Sequence, residues 1–186
     1  MFLKVLILVG LAFGAPSQYS YTNCGKNTDA IVVLESTLTP SPILYTKNVT
    51  LATSVQFKRQ MTKENAGKVV VTVWKWALVS WVEVPCSVTG LCETPTNWCD
   101  AIAVSAETCS TLQKFGIPCA CPINIGTYTV PPTSFGPVPV PTTSLADGSY
   151  RVKVELLDNK GARMPCGLIE DSVQHPDGGV VGVAAR

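Results

Sequence analysis

Histidine occurs once in this sequence, at His175, and that narrows the chemistry open to the chain. A Ser–His–acid or Cys–His nucleophile would have to use it. It stands in HPDGGVVGVAAR, which reads as a loose tail. The acids Glu83, Glu93, Asp100, Glu107, Asp147 and Glu155 are scattered. Most such residues are solvated surface charges, so a glycosidase pair has little footing. No G-x-G-x-x-G or phosphate loop occurs. These residues predict no catalysis and no cofactor.

The cysteines carry a different message. There are eight: Cys24, Cys86, Cys92, Cys99, Cys109, Cys119, Cys121 and Cys166. All follow an N-terminal segment in which Lys4 precedes the apolar run Val5 to Phe13. That run is too short to span a bilayer and reads as a signal peptide covering residues 1–17, cleaved between Gly14 and Ser17. Export leads to an oxidising compartment, so an even number of cysteines predicts disulfides. Spacing alone allows on the order of a hundred connectivities. Zinc is disfavoured, because C-x2-C pairs and ligand histidines are absent. Asn48-Val49-Thr50 is a glycosylation sequon and predicts a modified surface asparagine at Asn48.

Trp74, Trp76 and Trp81 fall within eight residues. Core packing is the plain reading of each. The alternative is an apolar rim at a membrane surface, where a tryptophan buries its body and keeps one N–H wet. Trp98, Phe115 and Ile117 would extend such a rim. The formal charge of +1 falls to about zero without Lys4, and no basic stripe exists. Nucleic acid is therefore not an expected partner.

The elements that must position these residues are mostly strands. Ile31 to Leu38, Asn48 to Phe57 and Lys68 to Trp76 read as β, and Ala77 to Val84 continues after a bend or a break near Ala77. Cys86 to Cys121 is a stapled, irregular region with a short helix within Ser105 to Phe115, stopped by Gly116. Gly126 to Val130 is a short strand. Pro131 to Gly148 reads as extended loop or edge strand, its PVPVP run a cover or a recognition segment. Ser149 to Leu157 alternates strictly, Asp158-Asn159-Lys160-Gly161 turns, and Arg163 to Ile169 returns. About seven strands and little helix predict an all-β sandwich, barrel or cup. One domain is expected over 18–174, with a tail over 175–186.

The segments YTNCG, PSPILYTKNVTLATS, WVEVPCSVTGLC, NWCD, FGIPCACP, GTYTVP and DGSYRVKVELLDNKGARMPCG closely resemble the MD-2-related lipid-recognition family, in its glycolipid-presenting branch. Together they cover nearly the whole chain after the leader. The resemblance implies the pairs Cys24–Cys166, Cys86–Cys92, Cys99–Cys121 and Cys109–Cys119. It implies an antiparallel β-cup around an apolar cavity, with mobile loops at its rim. It also implies a secreted or lysosomal carrier that takes glycolipid or phospholipid from a membrane surface and presents it to a lysosomal hexosaminidase. The competing expectation is a secreted binding or signalling protein that uses the same cup for another apolar ligand.

Overall fold

The computed structural model describes residues 18–89, 97–101, 106–137 and 147–174. In chain order the elements are β1 (Ser20–Asn23), β2 (Ile31–Thr39), β3 (Ile43–Leu44), β4 (Val49–Phe57), β5 (Ala66–Ala77) and β6 (Ser80–Val84). Three short helices follow, α1 (Cys86–Thr89), α2 (Trp98–Ala101) and α3 (Ala106–Gln113). The chain then forms β7 (Gly126–Phe135), β8 (Gly148–Asp158) and β9 (Arg163–Gln174).

The strands make two sheets. The larger runs β1-β9-β8-β5-β6, with β3 added to β9; the smaller runs β2-β4-β7. Every pairing is antiparallel except β3 with β9. The architecture is therefore a mostly antiparallel sandwich, with nine strands among the described residues rather than about seven.

The hairpin of β8 and β9 follows directly from its sequence. Tyr150, Val152, Val154 and Leu156 take one face, while Arg151, Lys153 and Glu155 take the other. The outer row is laced by Arg151–Glu170 at 2.6 Å and Lys153–Glu155 at 2.7 Å. The turn is set by Asp158, whose Oδ1 accepts from the amides of Lys160 and Ala162. Gly161 holds φ +82°, a left-handed value that costs glycine little.

Two expectations that left alternatives open are narrowed. The long β run breaks at Ala77, the second of its two expected forms, and reverses there, because β5 and β6 pair as a tight hairpin. Pro131 and Pro132 lie within β7, at the shift where Val130 pairs with Thr53 and Thr133 with Leu51. Proline has no N–H for a ladder, so a bulge on the outer strand of a sheet accommodates the pair.

The core gathers at one pole. Ile31, Met61, Ala66, Trp98, Cys99, Ile123 and Met164 are buried together there. Met61 and Ile123 exchange backbone hydrogen bonds at 2.9 and 2.8 Å, closing the pole between the strands. Asn97 starts α2: its Oδ1 accepts from the Cys99 amide, and its Nδ2 donates to the Lys63 carbonyl. Three disulfides join described residues, Cys24–Cys166, Cys99–Cys121 and Cys109–Cys119. Cys86 is also disulfide-bonded; Cys92, its expected partner, lies outside the described residues, as do the leader 1–17 and the tail 175–186.

Gly67 marks where β5 crosses tightly over β8. A Cβ there would lie 2.1 Å from the Asp158 carbonyl oxygen, and backbone cannot swing aside as a flexible side chain does. Gly67→Ala is expected to lose about 1–3 kcal/mol. Urea unfolding checks this, with a lower midpoint at unchanged slope as the expected signature.

Candidate functional site

Strand pairing assembles the aromatic cluster. Trp76 is opposite Trp81 and Trp74 opposite Glu83 across β5 and β6, while Arg151 of β8 is opposite Trp74. Opposed residues share a face. All five therefore project to the outer side of the larger sheet. The Trp76 and Trp81 rings meet edge to face at 5.3 Å. The Arg151 guanidinium lies 4.5 Å from the Trp81 ring centre and is held there by Glu170. Such a stacked cation adds roughly 0.5–1 kcal/mol at an exposed site.

The connection of this hairpin is its most unusual part. Only Leu78 and Val79 join the strands, and they are 90% and 68% exposed. Two-residue hairpin turns ordinarily use Asn, Asp or Gly, which tolerate positive φ. Leu78 holds φ +56°. A left-handed leucine costs on the order of 1–2 kcal/mol, and its apolar side chain stands in water as well. Sequence reading missed this tip because Ala77-Leu78-Val79-Ser80 carries no turn residue.

The space between the sheets forms the second part of the site. Val69 and Leu156 of the larger sheet pack on the same core as Val55, Phe57 and Tyr128 of the smaller one. Alternation puts Val71, Val73, Val152 and Val154 on that same facing side. These four sit in central strands, yet all are only half-buried. Facing residues at the centre of a filled sandwich interdigitate and exclude water.

Toward the hairpin end the facing side becomes polar. Lys75 Nζ lies 5.5 Å from the Tyr150 ring centre. Burial pushes the Tyr150 hydroxyl up to about 12, with Tyr45 and Asp147 adding to the effect.

The remaining expected positions are dispersed. Trp98 is 2% exposed in the core, at the pole away from the hairpin tip, and so stands at no rim. Phe115 and Ile117 are half-buried in the turn that ends α3, where both amides donate to the Leu112 carbonyl. Gly116 between them holds φ +72°, fitting its expected role as helix stop. Asn48 is exposed just ahead of β4. His175 lies outside the described residues.

A concavity of about 350 Å³ opens at the closed pole. Asp29, Lys58, Arg59, Asp158 and Arg163 line it, which suits water and ions better than acyl chains. Among the described residues no cluster of His, Cys, Asp and Glu could hold a metal ion.

Fold and site define a class: a disulfide-braced antiparallel β-sandwich with half-buried apolar residues between its sheets and an apolar hairpin tip at one end. The ML domain family matches residues 18–172, and the chain belongs to that family. It is 33% identical over 184 residues to the ganglioside GM2 activator of Macaca fascicularis, covering 91% of this chain and 95% of that one. It is 30% identical over 192 residues to the ganglioside GM2 activator of Mus musculus, covering 92% and 97%. Among solved structures, a Niemann-Pick type C2 protein from Japanese carpenter ant aligns with 83% of this chain and 99% of its own, at 12% identity and a TM-score of 0.43.

Proposed function

We propose that this chain is a non-enzymatic lipid carrier that meets a membrane with the Leu78–Val79 tip and holds acyl chains between its sheets. The observation that carries the reading is the half-burial of Val71, Val73, Val152 and Val154, central residues that face the other sheet. Each acyl CH2 taken from water into an apolar sheath contributes about 0.8 kcal/mol, so lipid would complete the burial these valines lack. Kinship with two ganglioside GM2 activators extends the proposal. The lipid is then a glycolipid or phospholipid, the partner a lysosomal hexosaminidase, and the location secreted or the lysosomal lumen.

Native purification followed by lipid mass spectrometry, with transfer between vesicles, tests the reading. Co-purified acyl lipid and transfer that scales with protein concentration are expected. A chain that carries no lipid and moves none between vesicles would overturn it.

The hairpin also sets a depth. At about 3.3 Å per residue, the Trp76–Trp81 pair stands roughly 7 Å behind the tip, and Trp74–Glu83 roughly 13 Å. The tip then enters the bilayer surface, the tryptophan pair lies at the headgroups, and Glu83 stays in water. Leu78→Ser with Val79→Ser is expected to leave stability within about 0.5 kcal/mol. Binding to phosphatidylcholine vesicles should fall about tenfold or more, since losing 1.4 kcal/mol of apolar transfer suffices for that. Unchanged co-sedimentation would remove the tip from the proposal.

A further inference from the structure

Asp171 is a buried carboxylate, 5% exposed, on the side of β9 that faces the smaller sheet. Its Oδ1 accepts from the Ser41 hydroxyl at 2.7 Å and from the Ser172 amide at 2.7 Å. Its Oδ2 is buried with no hydrogen-bond partner. Ser41 lies in the connection between β2 and β3, and its Oγ accepts from the Tyr19 amide at 2.5 Å. The Tyr19 hydroxyl in turn bonds Ser36 of β2. One carboxylate therefore joins three segments: the residues ahead of β1, the β2–β3 connection, and β9. This junction lies toward the same end as the hairpin tip, since Asp171 is opposite Tyr150 and Tyr150 opposite Lys75.

We propose that Asp171 fastens the N-terminal segment and the β2–β3 connection onto β9 more tightly in acid than at neutral pH. An ionised Asp171 leaves a charged oxygen buried without a donor, which is costly. A proton on Oδ2 removes the charge and leaves Oδ1 free to keep both of its hydrogen bonds. The inference goes beyond lipid carriage and does not need it.

Other polar groups surround the site. Tyr150 faces Asp171 from β8, with Lys75 of β5 over its ring. Tyr19 faces it from the N-terminal segment, its hydroxyl pushed up first by burial and further by Asp171, against the opposing pull of Ser36. Tyr45 follows β3, and Asp147 precedes β8 and acts on both Tyr45 and Tyr150. Glu170 projects to the opposite face, paired with Arg151.

Burial holds the Asp171 carboxyl above its ordinary range, against the opposing pull of Ser41 and the Ser172 amide. The sign follows. A group whose folded pKa is raised penalises the fold while ionised, so stability rises as pH falls through the folded value. The gain is complete near the unfolded value of about 3.9. This is the reverse of the usual carboxylate, whose native contacts are lost in acid.

The test compares the full chain with Asp171→Asn, a neutral side chain of the same shape. Hydrogen exchange at the Tyr19 and Tyr21 amides, normalised to intrinsic rates, is read at pH 7 and pH 5. Relative to the variant, protection in the unmodified chain should be higher at pH 5 than at pH 7, as linkage requires of a carboxyl held above its ordinary range. An identical ratio at both pH values overturns the proposal. The carboxyl carbon shift of Asp171 in the unmodified chain supplies a measurement that needs no variant. A midpoint above the ordinary range supports the fastener, and one at or below about 3.9 overturns it.

Discussion

Trp98→Ala is expected to cost about 3–5 kcal/mol of unfolding free energy. The residue is 2% exposed and packs with Met61, Ile123, Met164 and the Cys99 side chain at the pole where the sheets close. Removing its ring opens a cavity lined by groups that cannot collapse easily. Met61 and Ile123 are tied to each other by paired backbone hydrogen bonds, and Cys99 is bonded to Cys121. The indole Nε1 has no partner in this pocket, so Trp98→Phe loses little hydrogen bonding and should retain most of the stability. Domains of this size hold only about 5–15 kcal/mol in total. The alanine variant should therefore sit near the edge of folding, while Leu78→Ser, at the other end of β5, should not. Denaturant unfolding of both variants checks the contrast. Comparable, small losses for the two would show that Trp98 is not part of the core.

Replacing both Cys24 and Cys166 by alanine should cost roughly 5 kcal/mol. The bridge spans a sequence separation of 142, and the chain-entropy relation gives about that figure for so long a loop. The local structure depends on the same link. The Cys24 amide donates to the Cys166 carbonyl at 3.0 Å, and β1 pairs with β9 from Ser20↔Glu170 to Asn23↔Gly167. A Cβ on Gly167 would lie 3.0 Å from the Tyr21 ring, so β1 packs closely over its partner. The Cys109–Cys119 bridge supplies an internal control. It spans a separation of only 10, and the same relation assigns it about 3 kcal/mol. Chemical unfolding of the two double variants should rank them in that order. A larger loss from the short bridge would defeat the entropic account and point instead to native-state strain or to packing around α3.

Strict alternation made β8 and β9 legible. Apolar and charged residues exchange sides at every step from Tyr150 to Leu156, and Asp158 with Gly161 can scarcely do anything but turn. The same holds for Gly116 at the end of α3, where a left-handed residue must close the helix. The hairpin of β5 and β6 was harder to see. Ten of the seventeen residues from Lys68 to Val84 are valine or tryptophan, which fit either side of a half-buried sheet. With no Gly, Asn or Asp at the reversal, nothing local distinguished a tight turn from a bend.

The aromatic positions divide along the same line. Trp81 and Glu83 share a face by simple period-two counting, and the ladder keeps them there. No local pattern could say that Arg151, seventy residues later, would cover the Trp81 ring, or that Trp98 would be enclosed at the far pole. Asp171 was invisible for the same reason. An acid beside a serine near a chain end looks like surface until β1, β8 and the β2–β3 connection close over it.

Residue type and spacing therefore determined the class of protein: β-rich, cysteine-braced and poor in catalytic groups. Those properties are written in side-chain alternation and in a count of ionisable residues, both local to the chain. Tertiary structure alone decided which tryptophan is core, which apolar pair stands in water and which carboxylate loses its solvent. Burial is a property of the neighbours a residue acquires, and here those neighbours arrive from distant parts of the chain, as Ser41 reaches Asp171 across 130 positions.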